Sequence, residues 1–467
     1  MVLSRIWSAF IIVAILVASI KYLVSDNYKA IYNDMVVGKS GDTVQIATKK
    51  SSEISPFIQK NLLAIKDFTE SRIHYKSDSA QSKVNVYRVQ QTDGVIGTSE
   101  TAVKICLGLI GIMTLFMGFM SIAEKAGGIN LLSRMIQPFF SKLFPKKKKN
   151  HPAFGHMLLN FSANLLGLDN AATPFGLKAM ESLQTINPDK DRASNSQIMF
   201  LCLHAGGLTL IPVSIIAIRA SMGSHTPTDI FLPCMIATFA ATLAAMIVVS
   251  LYQKINLLQP VVIAYVGGIS AIIALLVVYL VNLSKEGLDD FSKLLSNGII
   301  LLIFFAIVLG ALYKKINVFD AFIDGAKEGF WTCVKIIPYL VGMLIAISLL
   351  RTSGVFDVLI DGMKWVAQVV GFDTRFVDGL PTALIKPLSG SGARGMMVDT
   401  MQTFGADSFQ GRLAAVLQGS SDTTFYVIAI YFGAVGIKNT RYTVTAMLLA
   451  DLVGIITSVI LAYLFFA

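Results

Sequence analysis

Long apolar runs decide what this chain can fold into. Nine of them approach the roughly 20 residues that an α-helix needs to cross the hydrocarbon core of a bilayer. They lie at about 6–24, 102–122, 198–218, 230–250, 258–282, 297–313, 331–350, 410–434 and 443–466. With 54% hydrophobic and 15% charged residues and a mean hydropathy of +0.66, the chain is too apolar for a water-soluble protein and must lie largely within a bilayer. The sequence therefore predicts an all-α polytopic membrane protein with the lipid bilayer as its surroundings.

The net charge of +10 does not indicate a nucleic-acid partner, because the basic residues flank the apolar runs. The tightest cluster, four lysines at 146–149, is typical of a segment that meets anionic lipid headgroups. The four cysteines lie in apolar runs without metal-ligand spacing. No zinc-protease motif, Walker loop or serine-hydrolase elbow is present in the sequence. We therefore expect no metal, no cofactor, no nucleic acid and no enzyme activity.

The N-terminal region divides into an anchor and an insertion. Residues 1–24 are predicted to form the first transmembrane helix rather than a signal peptide, because the apolar part is long and no good cleavage site follows. Residues 25–99 mix charges of both signs with Ser, Gln and Asn, and predict an extramembrane, periplasmic insertion. We expect a small subdomain or a pair of helices there. With the N-terminus and Arg5 on the inner side of the membrane, residues 25–99 lie outside. The next span then returns the chain to the inner side, where the basic stretch at 142–149 lies.

Polar residues and glycines interrupt the apolar pattern twice in a similar way. GLDNAATP at 167–174 and LSGSGARG at 388–395 are each followed by a polar break in an apolar run, at 204–212 and 418–424. Irregular backbone at membrane depth is tolerated where it lines a cavity rather than faces lipid. The pattern predicts, in each half of the chain, a re-entrant hairpin followed by a discontinuous transmembrane helix.

The same order of elements is predicted for residues 100–253 and 297–467, with hairpins at 152–184 and 380–400. One linker transmembrane helix in 254–296 makes the number of crossings between the halves odd. An odd number of crossings turns two like-folded halves into inverted-topology repeats, an architecture that many secondary transporters share.

The candidate substrate-binding residues are the polar groups of the hairpins and breaks. They are Asn164, Asp169, Asn170, Thr173, His204, Thr209, Ser389, Ser391, Arg394, Gln418, Ser420, Ser421, Asp422 and Thr423. A helix that restarts near Asn170 would direct free N–H groups at an anion, and Gly419 with the Ser-Ser-Asp that follows is typical of another helix start. The alternative is that these groups are polar glue between packed helices.

Three charged or titratable groups have two interpretations each. His204 either carries a coupling proton or is a hydrogen-bonded structural residue. Lys386 and Arg394 either neutralise an anionic solute or pair with an acidic residue, for which Asp399 and Asp422 are the candidates. A further residue, Arg219, is expected near the outer interface, where its side chain snorkels.

These residues lie within stretches that resemble the spore maturation proteins A and B, joined in one chain. GLDNAATPFGLKAME at 167–181 belongs to the A-like part, roughly 1–253. SGSGARG at 389–395 and GRLAAVLQGSSDTTFYVIAIYFGAVGI at 411–437 belong to the B-like part, roughly 297–467. Both resemble the wider nucleoside-recognition gate class, which includes concentrative nucleoside carriers. The resemblance implies a multi-pass, permease-like protein of the bacterial inner membrane.

We therefore expect a secondary transporter for a small polar solute, bound at a midplane site that both repeats form. Lys178, Lys386 and Arg394 favour an anionic or zwitterionic solute. The alternative is a membrane scaffold, or an envelope or spore maturation factor, that does not transport. A homo-oligomer is compatible with either hypothesis.

Overall fold

The computed structural model describes residues 2–39, 43–50, 59, 62, 67–70, 73–78, 83–89, 94–144, 152–167, 169–283 and 285–466. Seven helices among these residues are long and apolar enough to cross a membrane. The prediction of a polytopic, mainly helical membrane protein is confirmed. The lysine cluster at 146–149, on which the predicted orientation partly rests, lies outside the described residues.

The N-terminal region contains one long helix and a small sheet. Helix α1 (Val2–Val24) is followed by the short α2 (Ile31–Val36). The strands are β1 (Thr43–Lys50), β2 (Asp67–Glu70), β3 (Ile73–Asp78) and β4 (Lys83–Val89), which form an antiparallel sheet in the order β1-β4-β3-β2. A pair of helices was therefore the wrong alternative for the insertion. The period-2 pattern of β4, with Val84 and Val86 buried on one face, is what favours a strand.

Residues 94–253, the first unit, form two long helices with shorter elements between them. In order these are α3 (Gly94–Lys125), the amphipathic α4 (Gly128–Leu143), the hairpin α5 (Pro152–Leu165) and α6 (Asp169–Thr185), the broken helix α7 (Asn195–Ala205) and α8 (Val213–Ser221), and α9 (Phe231–Gln253). Two helices, α10 (Pro260–Val281) and α11 (Lys285–Tyr313), lead to the second half.

Residues 318–466, the second unit, repeat the same order. They form α12 (Val318–Thr352), the amphipathic α13 (Val355–Val370), the hairpin α14 (Leu380–Ile385) and α15 (Gly390–Phe404), the broken helix α16 (Phe409–Gly419) and α17 (Thr424–Ala434), and α18 (Thr443–Phe466). The predicted boundary at 253/254 coincides with the end of α9, whereas those at 99/100 and 296/297 fall inside α3 and α11.

Equivalent long helices of the two units pack against each other and run antiparallel. Along α3 and α12, Gly325 lies against Met117 and Gly329 against Met113. A Cβ atom at Gly325 would lie 2.2 Å from the Met117 carbonyl oxygen, so the glycine is what allows the backbones to approach this closely. At α9 and α18, the ring of Tyr252 stacks on that of Tyr442, the residue before α18, with centroids 4.3 Å apart, and Gly454 of α18 lies against Ala241 of α9.

A long helix precedes the first helix of each unit, α1 before α3 and α11 before α12, and it packs against the other unit. In the first case α1 lies along α12, with the Trp7 indole donating to the Gly342 carbonyl oxygen at 2.9 Å. In the second case α11 lies along α3, with the rings of Phe304 and Phe119 stacked 3.9 Å apart. Helices α1 and α11 therefore occupy corresponding positions, and α10 has no counterpart among the described residues of the first half.

Candidate functional site

Each unit contains a helix that is interrupted near its middle. Helix α7 is capped by Ser194, which forms a capping box with Gln197, and α16 is capped by Ser408, whose hydroxyl accepts the Gly411 N–H at 2.9 Å. Both helices run for 11 residues. The first break, residues 206–212, contains two glycines and a proline, whereas the second, residues 420–423, contains two serines, an aspartate and a threonine.

The two breaks meet, and we call their meeting point the central crossing. The Asp422 N–H donates to the Ala205 carbonyl oxygen at 2.8 Å, which joins the second break to the end of α7. Gly207 adopts a positive φ of 64° and faces this bond, where a Cβ atom would lie 3.2 Å from the Asp422 nitrogen. A left-handed conformation and close backbone contact both favour glycine here.

The hairpins support the breaks through corresponding backbone bonds. The Leu210 N–H donates to the Leu165 carbonyl oxygen at 2.8 Å, and the Phe425 N–H donates to the Pro387 carbonyl oxygen at 2.9 Å. In each unit the donor belongs to the broken helix or its break, and the acceptor lies where the first helix of the hairpin ends. The breaks are therefore held between the hairpins as well as against each other.

His204, the penultimate residue of α7, links three elements. Its Nδ1 lies 2.6 Å from the Asn164 Nδ2 and 3.1 Å from the Asn160 Oδ1 of α5. Its Nε2 lies 3.6 Å from the Asp422 Oδ2. The Tyr431 ring of α17 meets the imidazole edge to face, with centroids 4.9 Å apart. The imidazole is buried, whereas 43% of the Asp422 side-chain surface is exposed, so the carboxylate borders a space that the histidine does not.

The second unit adds two buried charges beside the crossing. The Lys386 ammonium group, at the end of α14, donates to the Gln418 carbonyl oxygen at 2.6 Å. The Thr424 hydroxyl donates to the Asp451 Oδ2 of α18 at 2.6 Å. Lys386 and Asp451 are 7% and 4% exposed, so both must be stabilised by such neighbours.

Eight of the predicted site residues lie in the central crossing or next to it, namely Asn164, His204, Thr209, Gln418, Ser420, Ser421, Asp422 and Thr423. Two more, Ser389 and Ser391, lie at the start of α15. Ser389 caps α15 by accepting the Gly392 N–H at 3.0 Å, and the Ser391 hydroxyl lies 3.3 Å from the Ser389 hydroxyl. The predicted helix start at Gly419 was wrong, because α17 begins at Thr424 and Gly419 ends α16.

The remaining predicted residues lie on the hairpins. Thr173 is exposed on α6, and its side chain is close enough to Tyr431 of α17 to interact with it. Arg394 is half-buried on α15, close enough to the Cys106 thiol of α3 to interact with it electrostatically. Helix α6 begins at Asp169, as the sequence predicted near Asn170, but the side chains of both residues lie outside the described part of the structure. Asp399, a predicted partner for Lys386 or Arg394, instead accepts hydrogen bonds from the Arg351 Nε at 2.8 and 2.9 Å.

Comparisons with known proteins match both units. The family described as "Gate: Nucleoside recognition" matches residues 106–222 and 333–438. The chain is 45% identical over 172 residues to spore maturation protein B of Bacillus subtilis (strain 168), covering 37% of this chain and 95% of that protein. It is 42% identical over 156 residues to spore maturation protein A of the same strain, covering 33% of this chain and 80% of that protein. The chain belongs to the spore maturation protein family.

Membership of the spore maturation family confirms the resemblance inferred from the sequence motifs. Each range that the gate family matches begins within a long helix, α3 or α12, and includes the hairpin and the broken helix that follow. The central crossing is thus built from the two matched regions. No solved structure matches this chain.

In this family member a buried charge cluster joins the broken helices at one end. The Arg219 guanidinium lies 2.8 Å from the Asp229 Oδ1 and 2.9 Å from the Asp407 Oδ1, and the Arg412 Nε lies 2.7 Å from the Asp229 Oδ2. Arg219 is fully buried, so the prediction that it snorkels at an interface was wrong. Burial opposes ionisation of Asp407, but Arg219 and Arg412 outweigh it and hold the pKa of this carboxyl below its usual value.

The opposite end of the broken helices is joined mainly by backbone hydrogen bonds, which we call the backbone clasp, and the Arg441 guanidinium beside them donates to the Ala193 carbonyl oxygen at 3.1 Å and to the Asn195 Oδ1 at 2.7 Å. The N–H groups of Lys438 and Asn439 both donate to the Asp191 carbonyl oxygen at 2.9 Å, and the Ala193 N–H donates to the Asn439 carbonyl oxygen at 3.0 Å. The only ion pair described there joins the Lys438 ammonium and the Asp191 carboxylate at 3.4 Å, with side chains 79% and 67% exposed.

Four residues of the crossing were left out of the predicted set, namely Asn160, Lys386, Tyr431 and Asp451. The signal for Asp451 was present, because it is the one acidic residue in the apolar run 443–466. Tyr431 gives no comparable signal, since an aromatic residue in an apolar helix is ordinary core. Its position is shown by the structure, in which its ring contacts His204 and Phe200.

Proposed function

We propose that this protein is a secondary transporter of the bacterial inner membrane for a small polar solute. The observation that carries the proposal is the partly exposed Asp422 carboxylate at the meeting point of two interrupted helices. Interrupted helices supply unpaired backbone groups, which solutes and coupling ions use in transporters. A partly exposed carboxylate in such a place is suited to contact a passing solute rather than only to hold the fold.

We further propose that the two units are inverted-topology repeats and that the hairpins are re-entrant. Supporting this, the long helices α3 and α12 run antiparallel, as do α9 and α18, although each pair occupies equivalent places in the chain. A pseudo-two-fold axis in the membrane plane produces this arrangement. Each hairpin ends beside a break, and a break has to lie inside the protein at membrane depth.

The solute we propose is zwitterionic or anionic. Asp422 lies within the second break and Lys386 lies beside it, with opposite charges, and the break between α16 and α17 leaves helix-terminal groups nearby. An ammonium group on the solute would pair with Asp422, and an acidic group would be drawn towards Lys386 and the N-terminus of α17. The description of the matched family, nucleoside recognition, makes nucleosides a further class to test. No catalytic step is needed for this function.

A second candidate is a non-transporting scaffold or maturation factor of the envelope or spore. The names of the similar proteins refer to spore maturation and not to a solute. In addition, His204 and Lys386 each bond to neighbouring protein groups, as a purely structural polar core requires. For this candidate, Asp422 would contribute to stability and to nothing else.

The test compares Asp422→Asn with Asp361→Asn, which removes an exposed carboxylate from the surface of α13. Purified full-length protein is screened by thermal unfolding against nucleosides, amino acids and small carboxylates. A ligand that binds only the folded state increases the free energy of unfolding by about 2.7 kcal/mol at 100 times its Kd, and the unfolding temperature rises as a result. Solutes that stabilise the wild type are then tested for uptake into proteoliposomes.

A transporter predicts that Asp422→Asn keeps its unfolding temperature but loses the solute response and uptake, while Asp361→Asn keeps all three. A scaffold predicts that Asp422→Asn lowers the unfolding temperature and that no solute is taken up. Uptake by the Asp422→Asn protein at the wild-type rate would remove Asp422 from the site and leave the proposal without its main support.

A further inference from the structure

A groove outside the central crossing has the features of a lipid site. It has a volume of about 640 Å³ and lies between the ends of α3 and α11 and the first turns of α4. Leu131, Ile303 and Ile307 give it apolar walls, and its inner end reaches Leu210 and Ile211 of the first break. This volume is in the range of pockets that hold small-molecule ligands.

The groove has a cationic mouth. Lys125, Arg134 and Lys314 line it together. The Lys125 ammonium lies 2.5 Å from the Asp324 Oδ2, which neutralises it. Arg134 and Lys314 are exposed and form no ion pair with any of the residues that the structure describes. The mouth therefore carries an excess of positive charge, whereas the walls are apolar.

The depth of the groove corresponds to one leaflet. Ile303 and Lys314 are eleven residues apart on α11 and at its end, which is about 16 Å along a helix axis. The hydrocarbon core of a bilayer is about 30 Å thick, so one leaflet contributes about 15 Å. A phosphate held at the mouth would thus leave its acyl chain alongside the apolar walls.

The corresponding place in the second unit is closed by the protein itself. There α1 takes the position of α11, and the Lys21 ammonium donates to the Ser353 carbonyl oxygen at 2.7 Å. This ammonium group covers Gly354, the residue before α13, which has a φ of 78°. Gly127, the residue before α4, has a similar φ of 84°, but no described atom lies within 4 Å of a Cβ atom built there. The first unit therefore leaves open a place that its counterpart fills with a lysine.

We propose that an anionic phospholipid occupies this groove, with its phosphate between Arg134 and Lys314 and one acyl chain against Ile303 and Ile307. Basic pockets between transmembrane helices on the cytoplasmic side are a recognised setting for acidic headgroups. The inner end of the chain would touch Leu210 and Ile211, so the lipid would support the first break. This site is separate from the proposed solute site and stands without it.

The first experiment titrates phosphatidylglycerol into delipidated full-length protein in neutral detergent and follows the unfolding temperature. We expect a saturable rise. The double variant R134Q/K314Q is expected to need about 30-fold more lipid for half the rise, because each cation near an anionic headgroup contributes about a factor of five. Both side chains are exposed, so the fold should persist. K315Q, which removes a neighbouring exposed lysine that does not line the groove, is the matched control.

The second experiment fills the groove without changing its charge. Gly310 lines the groove and Gly298 does not, yet a Cβ atom at either position meets nothing within 4 Å. G310L should abolish the response to phosphatidylglycerol, and G298L, on the same helix, should preserve it. Because both replace a helical glycine, a difference between them reports on the groove.

Four results would overturn the proposal. Phosphatidylcholine with the same effect as phosphatidylglycerol would show that the charge is irrelevant, and glycerol phosphate with that effect would identify a site for free phosphate. A K315Q protein as impaired as R134Q/K314Q would show a general surface-charge effect. A G310L protein that responds like the wild type would place the lipid elsewhere.

Discussion

The two ends of the crossed broken helices are joined by different chemistry. At one end lies the charge cluster of Arg219, Asp229, Asp407 and Arg412, in which Arg219 and Asp229 are buried and the other two are partly buried. At the other, the backbone clasp joins residues 191–193 to 438–439, and its ion pair is exposed. A buried charge without its partner is far more costly than an exposed one. We therefore expect the cluster end to stay closed and the clasp end to separate at lower cost.

The largest effect is expected from Arg219→Leu. All the hydrogen bonds of this fully buried guanidinium go to protein groups. Its loss removes an ion pair from Asp407 and leaves Asp229 with Arg412 as its remaining ion-pair partner. We expect a loss of about 3–5 kcal/mol in the free energy of unfolding. Denaturant titration in bicelles measures it. Arg219→Lys should lose less, because the charge remains although the planar fork is gone. A loss below about 1 kcal/mol in the leucine variant would contradict the role of the cluster.

The second effect concerns the central crossing between the two ends. Gly207→Ala puts a Cβ atom 3.2 Å from the Asp422 nitrogen, in a left-handed conformation. Gly223→Ala has a similar φ of 78° with nothing within 4 Å, so it is the matched control. Both should lose about 1–2 kcal/mol from backbone strain. Gly207→Ala should lose at least about 1 kcal/mol more from crowding. Equal losses of unfolding free energy in the two variants would mean that the backbone of the two breaks can move apart without destabilising the fold.

The third effect is a pH dependence confined to the cluster end. The pKa of Asp407 is held below its usual value of 3.8, so its stabilising effect is fully present above that value and is lost as the pH falls through the lower folded-state value. The difference in unfolding temperature between wild type and Asp407→Asn should therefore be largest near pH 7 and shrink at pH 3–4. A difference that grows towards acid would contradict this sign.

The smallest effect is expected at the clasp. Lys438→Ala removes an ion pair whose partners are mostly exposed, and the clasp retains its backbone hydrogen bonds. We expect a change of less than about 1 kcal/mol in the free energy of unfolding, further reduced in high salt. A loss comparable to that of Arg219→Leu would remove the contrast between the two ends.

The sequence predicted the order of elements because the signals are local. Glycines, a proline and a run of hydroxyl groups interrupt apolar runs at 206–212 and 420–423, and the interruptions are where the helices end. Period-2 alternation in β4 was also visible, but it is a short pattern within a polar segment. The insertion was therefore expected to be either helical or a small subdomain.

The contacts between the units could not be predicted in the same way. Ala205 and Asp422 are joined by a backbone bond, and nothing local to either residue indicates the other. Arg219 was expected to snorkel near an interface, whereas its acidic partners, Asp229 and Asp407, lie in loops of different units, which the sequence around Arg219 does not indicate. The sequence pattern identifies the charged residues of such a cluster but does not show which of them lie together in the fold.

The central claim is that the meeting point of the two breaks is open to water-soluble solutes. It is tested by labelling D422C with a charged, membrane-impermeant thiosulfonate reagent, in protein whose four buried native cysteines are changed to alanine. Asp422 is 43% exposed and Ser420 only 1%, so S420C is the control two residues away. The account predicts rapid labelling of D422C in the intact membrane and none of S420C. An unreactive D422C, or equal labelling at both positions, would contradict it.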